Sequence, residues 1–140
     1  MARVRVSWNR GGAYDGELGR VRLVRDGVMR EAGEYLAVQI ENRALGGRDE
    51  AGNRFVPYTA AYAKAKNVST TAVDLRRSGE MFAALGTLSH SRTHVRVGFR
   101  SAEMSDRARY NEKRRRFMGI DKRWLQDVRR RIVAGIGFYR

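Results

Sequence analysis

The sequence predicts an α+β domain, with a long N-terminal amphipathic helix and a C-terminal helix packed on a small antiparallel sheet. Three stretches predict it. From about Leu18 to Ala44, apolar residues recur at Val21, Val24, Val28, Ala32, Leu36 and Ile40 in steps of three and four, the spacing of one helix face. Over 86–99 the period falls to two, with Val95, Val97 and Phe99 on one side and His94 and Arg96 on the other, as in an antiparallel hairpin. Near the C-terminus Trp124, Val128, Ile132 and Ile136 stand four apart, a second helical stripe. Helices and strands that come in separate runs, without βαβ alternation, give the α+β class.

The remaining elements follow from local signals. Arg3 to Trp8 alternates polar and apolar residues and reads as a short strand, the core of an N-terminal arm over 1–17. Gly11, Gly12 and Gly16 make the break after it. Gly27 and Gly33 each lower helix propensity by about 1 kcal/mol relative to alanine, so packing must support the long helix. Gly46-Gly47 ends it. A polar loop over 46–57 closes on Pro57, the only proline. Thr59 is placed to cap a short helix from Ala60 to Lys66, and Asp74 one from Leu75 to Leu85, with Leu75, Phe82 and Leu85 inward. Residues 100–119 are polar and basic and read as a connecting segment. Asp121 caps the last helix, with Ile120 and Leu125 in the positions of a hydrophobic staple.

A chain of 140 residues is one domain's worth. Its 42% hydrophobic content excludes general disorder. No apolar run approaches the roughly 18 residues of a membrane span, and Met-Ala-Arg-Val-Arg offers no signal-peptide core, so intracellular synthesis and no membrane association are expected. Without cysteine, disulfides, thiolate zinc sites and cysteine nucleophiles are excluded.

Charge is the outlier. Lys+Arg total 29 against 15 Asp+Glu, a net +14. Only Lys64, Lys66, Lys113 and Lys122 are lysines, so 25 of those 29 are arginines. Arginine pairs bidentately with carboxylate and phosphate and tolerates burial between chains. Acidic protein surfaces and nucleic acid are therefore the two leading partner types. Arg107, Arg109, Lys113, Arg114, Arg115 and Arg116 fall within ten residues and form the candidate surface, facing either partner proteins or DNA. Phe55 and Tyr58 in the polar loop are candidates for a subunit contact, since aromatics are enriched at interfaces; the alternative is a loop folded back on its own core.

Catalytic chemistry finds little support. Phosphate-binding glycine loops, nucleophile elbows and paired-histidine metal motifs are absent. His90 and His94 read as hairpin residues with no third ligand beside them. Asp106, Glu112 and Lys113 lack the convergent carboxylate spacing of a metal nuclease. The expectation is a protein that is no enzyme and needs no metal or cofactor.

Several motifs occur in order. The loop carries Asp49-x-x-Gly52-x-x-Phe55-x-Pro57-Tyr58, followed by Tyr62 and Lys64. Then come Val73-Asp74-Leu75-x-x-Ser78-Gly79-x-Met81 and the strand Val95-Arg96-Val97-Gly98-Phe99. Tyr110-Asn111-Glu112 precedes Arg116-Phe117-Met118-Gly119-Ile120-Asp121. Over roughly residues 20–136 this order resembles the virion morphogenesis, tail-completion and neck proteins of tailed bacteriophages. The resemblance implies a structural protein with no catalytic residues, resident in the virion at the neck or head-proximal tail. It implies a homo-oligomeric ring, a hexamer or alternatively a dodecamer, joining a head connector or portal-side protein to tail proteins, with non-specific contact to packaged DNA open. The alternative from another class is a small basic protein that binds nucleic acid without sequence specificity.

Overall fold

A computed structural model describes residues 2–8, 15–21, 27–73, 79–134 and 138; the first two of these segments are described as backbone. The elements run β1 (Ala2–Trp8), β2 (Asp15–Val21), α1 (Val28–Leu45), α2 (Ala60–Lys66), α3 (Glu80–Ala83), β3 (Leu85–His90), β4 (His94–Phe99), α4 (Ala102–Arg114) and α5 (Lys122–Ala134). The class is α+β, as expected. The sheet is larger than the predicted hairpin, with four strands in the order β2-β1-β4-β3. The outer pairs are antiparallel, but the central pair is parallel, with Val6 opposite Val95 and Trp8 opposite Val97. Alternation within β1 predicts a strand without naming its partner. One partner, β2, follows directly, and the other, β4, arrives only after α1, α2, α3 and β3.

The long helix is shorter at its N-terminal end than its apolar spacing predicts. Leu18 and Val21 belong to β2, and Val24 lies outside the described residues. In β2 the register passes from Val4 opposite Gly19 to Arg5 opposite Glu17, leaving Leu18 as the extra residue of a bulge. Apolar residues at a bulged strand and then a helix mimic one continuous helical stripe. The predicted 75–85 helix is also cut down. Its described part is α3, Phe82 is buried there, Leu85 opens β3, and Asp74, Leu75 and Ser78 lie outside the described residues.

α1 lies across β3 and β4. Met29, Ala32, Leu36, Ile40 and Ala44 are at most 1% exposed along its inner face, and Val95 and Val97 are fully buried against it. Burial of each large side chain contributes about 1.5–3 kcal/mol. The approach is close at Gly33, where a Cβ would overlap Thr87 Oγ1 and Val95 Cγ2. Around it Thr87 Oγ1 donates to Arg30 O (2.9 Å), and Glu34 Oε1 accepts from Thr87 N (3.1 Å) and Arg100 Nη2 (2.9 Å). Gly33 is therefore the contact point of helix and sheet, at the expense of helix propensity. Gly46 and Gly47 close α1 by donating to Asn42 O and Ala44 O.

α5 packs against α1 and β2. Val128 and Ile132 are buried, Trp124 is half-buried, and Ile120 and Leu125 rest on the core as a staple would. Ile136 lies outside the described residues. Asp121 heads the helix, with Oδ1 accepting from Arg123 N at 2.8 Å. Hydrogen bonds from Arg123 hold the Asp121 carboxyl below its ordinary pKa. Between the two long helices Tyr35 Oη donates to Asp127 Oδ2 (2.7 Å), which also accepts from Arg131 Nε (3.1 Å), while Arg130 pairs with Oδ1. Arg131 lies over the rings of Tyr35 and Phe138.

The hydrogen bond from Tyr35 holds the Asp127 carboxyl below the usual carboxylate range. Burial, with Asp127 beside it, pushes the Tyr35 phenol up to about 12. A depressed carboxyl pKa supplies stability that is complete above the unfolded value near ~3.9 and is lost as pH falls through the folded one. A raised phenol pKa supplies stability that is complete below the ordinary value of 10.0 and is lost as pH rises towards about 12. In urea unfolding across pH, Asp127→Asn is expected to flatten the acid limb of the stability curve, and Tyr35→Phe the limb above pH 10. Unaltered limbs would contradict the network.

Candidate interaction surface on helix α4

Most of the basic 100–119 segment, Ala102–Arg114, is a helix. Ser101 caps it, its Oγ accepting from Met104 N at 3.2 Å, with Glu103 in the first turn and Lys113 and Arg114 in the last, where each suits the helix dipole. Alanine, glutamate, methionine, arginine and lysine supply helix propensity in place of a wide apolar stripe. Met104 and Ala108 alone are buried along it, which is why hydrophobic periodicity passed over it. The sequence signal that finds it is the Ser101 cap with Glu103 in the first turn, Lys113 and Arg114 in the last, and no glycine or proline between.

Helical geometry separates the arginine cluster into two flanks. Arg107, Tyr110, Asn111 and Arg114 share one side and face α2 across a groove of about 870 Å³, with Tyr58, Tyr62 and Lys66 opposite and Met81 and Phe82 beneath. Arg109, Lys113 and Arg116 share the other side with Glu112, around a hollow of about 550 Å³ that reaches Phe99 and Met118. Arg107 bonds to Glu103 (2.8 Å) and Glu80 (3.4 Å), Arg109 pairs with Asp106 (3.5 Å), and Arg116 approaches Glu50 (3.9 Å). Exposed pairs of this kind contribute about 0–1 kcal/mol and leave the cations available to a partner. Lys113 and Arg114 are exposed and have no ion-pair partner among the described residues.

Arg115 differs from its neighbours. Its Nε donates to Val56 O at 3.1 Å, and its guanidinium lies 5.2 Å from the centre of the Tyr58 ring. Lys66 lies 5.1 Å from the same ring and donates to Tyr58 Oη at 3.2 Å. Phe55 and Tyr58, candidates for a subunit contact, are buried in their own chain. The 46–57 loop folds back on the core, the alternative that the sequence left open. Asp49 Oδ1 accepts from Ala51 N and Asn53 N to close its tip, and Phe55 N donates to Gly47 O. Of the loop's apolar residues, Val56 stays outside, 61% exposed.

Below the two flanks, α4 is joined to α5 by a turn held from three directions. Glu112 Oε2 accepts from Phe117 N (3.0 Å) and Met118 N (3.1 Å), and Arg43 Nη2 donates to Phe117 O (2.7 Å) and Gly119 O (2.5 Å). Glu50 N donates to Arg116 O at 2.7 Å, and the Glu50 side chain crosses Gly119 so closely that a Cβ there would overlap it. Phe117 is fully buried and meets Phe82 edge to face at 5.9 Å. The Arg43 guanidinium also lies 4.6 Å from the Trp124 ring centre. Burial pushes its pKa below the ordinary arginine value, and Glu50, Asp121 and Asp49 oppose that shift. Arg43 is the residue that sequence reasoning missed, for its partners are over seventy positions away.

His90 is exposed and His94 half-buried on the hairpin. Among the described residues no three His, Cys, Asp or Glu groups are gathered closely enough to hold a metal ion, and no helix is long and apolar enough to cross a membrane. No family model, curated protein or solved structure matches the chain.

Hydrogen bonds to a charged group are worth about 1.5–3 kcal/mol each. Arg43→Met is therefore expected to lower unfolding free energy by roughly 3 kcal/mol, with Arg43→Lys recovering only part, because an ammonium can donate to the carbonyls but has no plane to lay on the indole. Urea midpoints of the three proteins measure this. Full recovery by lysine would remove the stacking on Trp124 from the account, and an unchanged midpoint in Arg43→Met would remove the clamp.

Proposed function

We propose that this chain is a non-enzymatic structural subunit of the tailed-phage neck, of the tail-completion type. In this reading it closes head to tail into a ring of six or of twelve copies between a head connector and tail proteins. Two complementary patches per subunit are what such a ring requires. The observation that carries the reading is the outward display of cations on both flanks of α4, on a chain of net +14. Arg109 and Arg116 keep 60% and 77% of their side-chain surface, fit for acidic surfaces of neighbouring virion proteins.

The motif residues support the reading in a second way. Phe55, Tyr58, Met81, Phe117 and Met118 are all buried, and Gly119 is gripped by Arg43 and Glu50. A motif set that serves architecture and leaves the surface free is what a structural family with no catalytic residues requires.

The unpaired Lys113 and Arg114 also favour a second reading, non-specific nucleic-acid binding, in which affinity falls steeply with salt as phosphates release counterions.

Arg115 and Arg116 reach the 46–57 loop at Val56 O and Glu50, whereas Arg109 pairs with Asp106 one turn away on its own helix and Lys113 has no ion-pair partner among the described residues, so the informative reversal is Arg109→Glu with Lys113→Glu. The double variant is expected to fold normally, to fail to enter particles in a complementation assay, and to leave heads and tails unjoined. Normal incorporation would remove this flank from the mechanism. Loss of a salt-sensitive affinity for duplex DNA, with particles unaffected, would favour the second reading.

A further inference from the structure

Exposed apolar residues are not scattered evenly. Among the described residues six large ones are exposed, and three of them, Val56 (61%), Tyr62 (42%) and Tyr110 (64%), line the groove between α2 and α4. Clustered exposed apolar surface marks an interaction site where single exposed residues do not. Met81 and Phe82 form an apolar floor. The cations are grouped at one end. Arg114 is unpaired, Arg115 spends only Nε on Val56 O, and Lys66 stands over Tyr58. At the other end Arg107 is engaged by Glu80 and Glu103, and Asp106 adds a negative charge. The groove therefore has an apolar bed and a direction.

We propose that this groove receives an acidic segment of another protein, with one apolar or aromatic side chain seated over Met81 and Phe82 between Tyr62 and Tyr110, and carboxylates on Arg114 and Arg115. Tyrosine and arginine are the side chains on which interface energy concentrates, and arginine's planar fork fits a carboxylate. Single-stranded nucleic acid fits less well. It needs open ring faces in series, whereas the Tyr58 ring already has two cations near it and Tyr62 tilted against it at 4.8 Å. The proposal rests on the reading of the chain as an assembly subunit and names the partner chemistry of one flank of α4.

The test uses the full chain and fluorescence anisotropy. The probes are a short labelled peptide of aspartate and glutamate with one central phenylalanine, the same peptide with glycine at the centre, and labelled oligothymidylate. The phenylalanine peptide is expected to bind about tenfold more tightly than the glycine one. Tyr62→Ala, Tyr110→Ala and Arg114→Glu are each expected to weaken it about five- to tenfold. Arg129→Glu, an equal charge change at an exposed position on α5, is expected to leave it unchanged. All four side chains are exposed, so folding is not at stake, and circular dichroism verifies it.

No binding, equal binding of the two peptides, or an equal loss in Arg129→Glu would overturn the proposal. So would oligothymidylate binding more tightly than the peptide with the same sensitivity to Tyr62 and Tyr110. These outcomes separate from those of the neck reading: a failed groove with normal particle incorporation sinks only the groove, and peptide binding by a chain that never enters particles sinks only the neck.

Discussion

The turn from Arg116 to Gly119 is the constraint on which the rest of the molecule depends. It sets where α4 leaves off and α5 begins, and it is held at its N–H groups by Glu112, at its carbonyls by Arg43, and at its start by Glu50 N. Each partner comes from a different element: Glu112 from α4, Arg43 from α1, Glu50 from the loop after α1. A backbone reversal in a half-buried place must satisfy its polar groups somewhere, and here three charged residues do so while Phe117 fills the core beneath. If the turn slips, both flanks of α4 move with it.

The same arrangement explains why so arginine-rich a chain can fold. Some arginines work inward: Arg43 on two carbonyls and an indole, Arg131 between Asp127 and two aromatic rings, Arg115 on the loop that carries Val56. Others, on α4 and just past its end, project outward with partial or no pairing. Planarity and five N–H donors let one residue type serve both tasks. The acids are placed sparingly, and several of them, Glu34, Asp121 and Asp127 among them, bind within the chain. On α4 itself Glu103 and Asp106 are exposed beside Arg107 and Arg109, and the cations with no ion-pair partner among the described residues, Lys113 and Arg114, gather in its last turn.

Elements that carry their own periodic signal were legible in the sequence. The inner face of α1 from Val28 to Ala44, the β3–β4 hairpin, the Thr59 cap and the Ile120–Leu125 staple on α5 all follow from spacing and capping chemistry. Misreadings came where two elements share one pattern or where none is present. Leu18 and Val21 imitate the first turn of a helix although a bulged strand holds them, and α4 buries only Met104 and Ala108. The candidate surface was legible as a run of charge but not as two flanks, because its division appears only once the run is wound at 3.6 residues per turn. Phe55 and Tyr58 looked exposed because their neighbours in sequence are polar, whereas their neighbours in space are core. The groove between α2 and α4 joins residues fifty positions apart, beyond the reach of local reasoning.

Taken together, these features describe a domain whose specific contacts hold its shape while Arg109, Lys113 and Arg114 stay exposed. The central proposal is that this surface assembles. Native mass spectrometry of the purified chain, alone and after mixing with a head-connector protein encoded beside it, tests that proposal most directly. The account predicts a closed ring, either of the chain itself or formed only upon the connector. A monomer at every concentration that ignores the connector would contradict it.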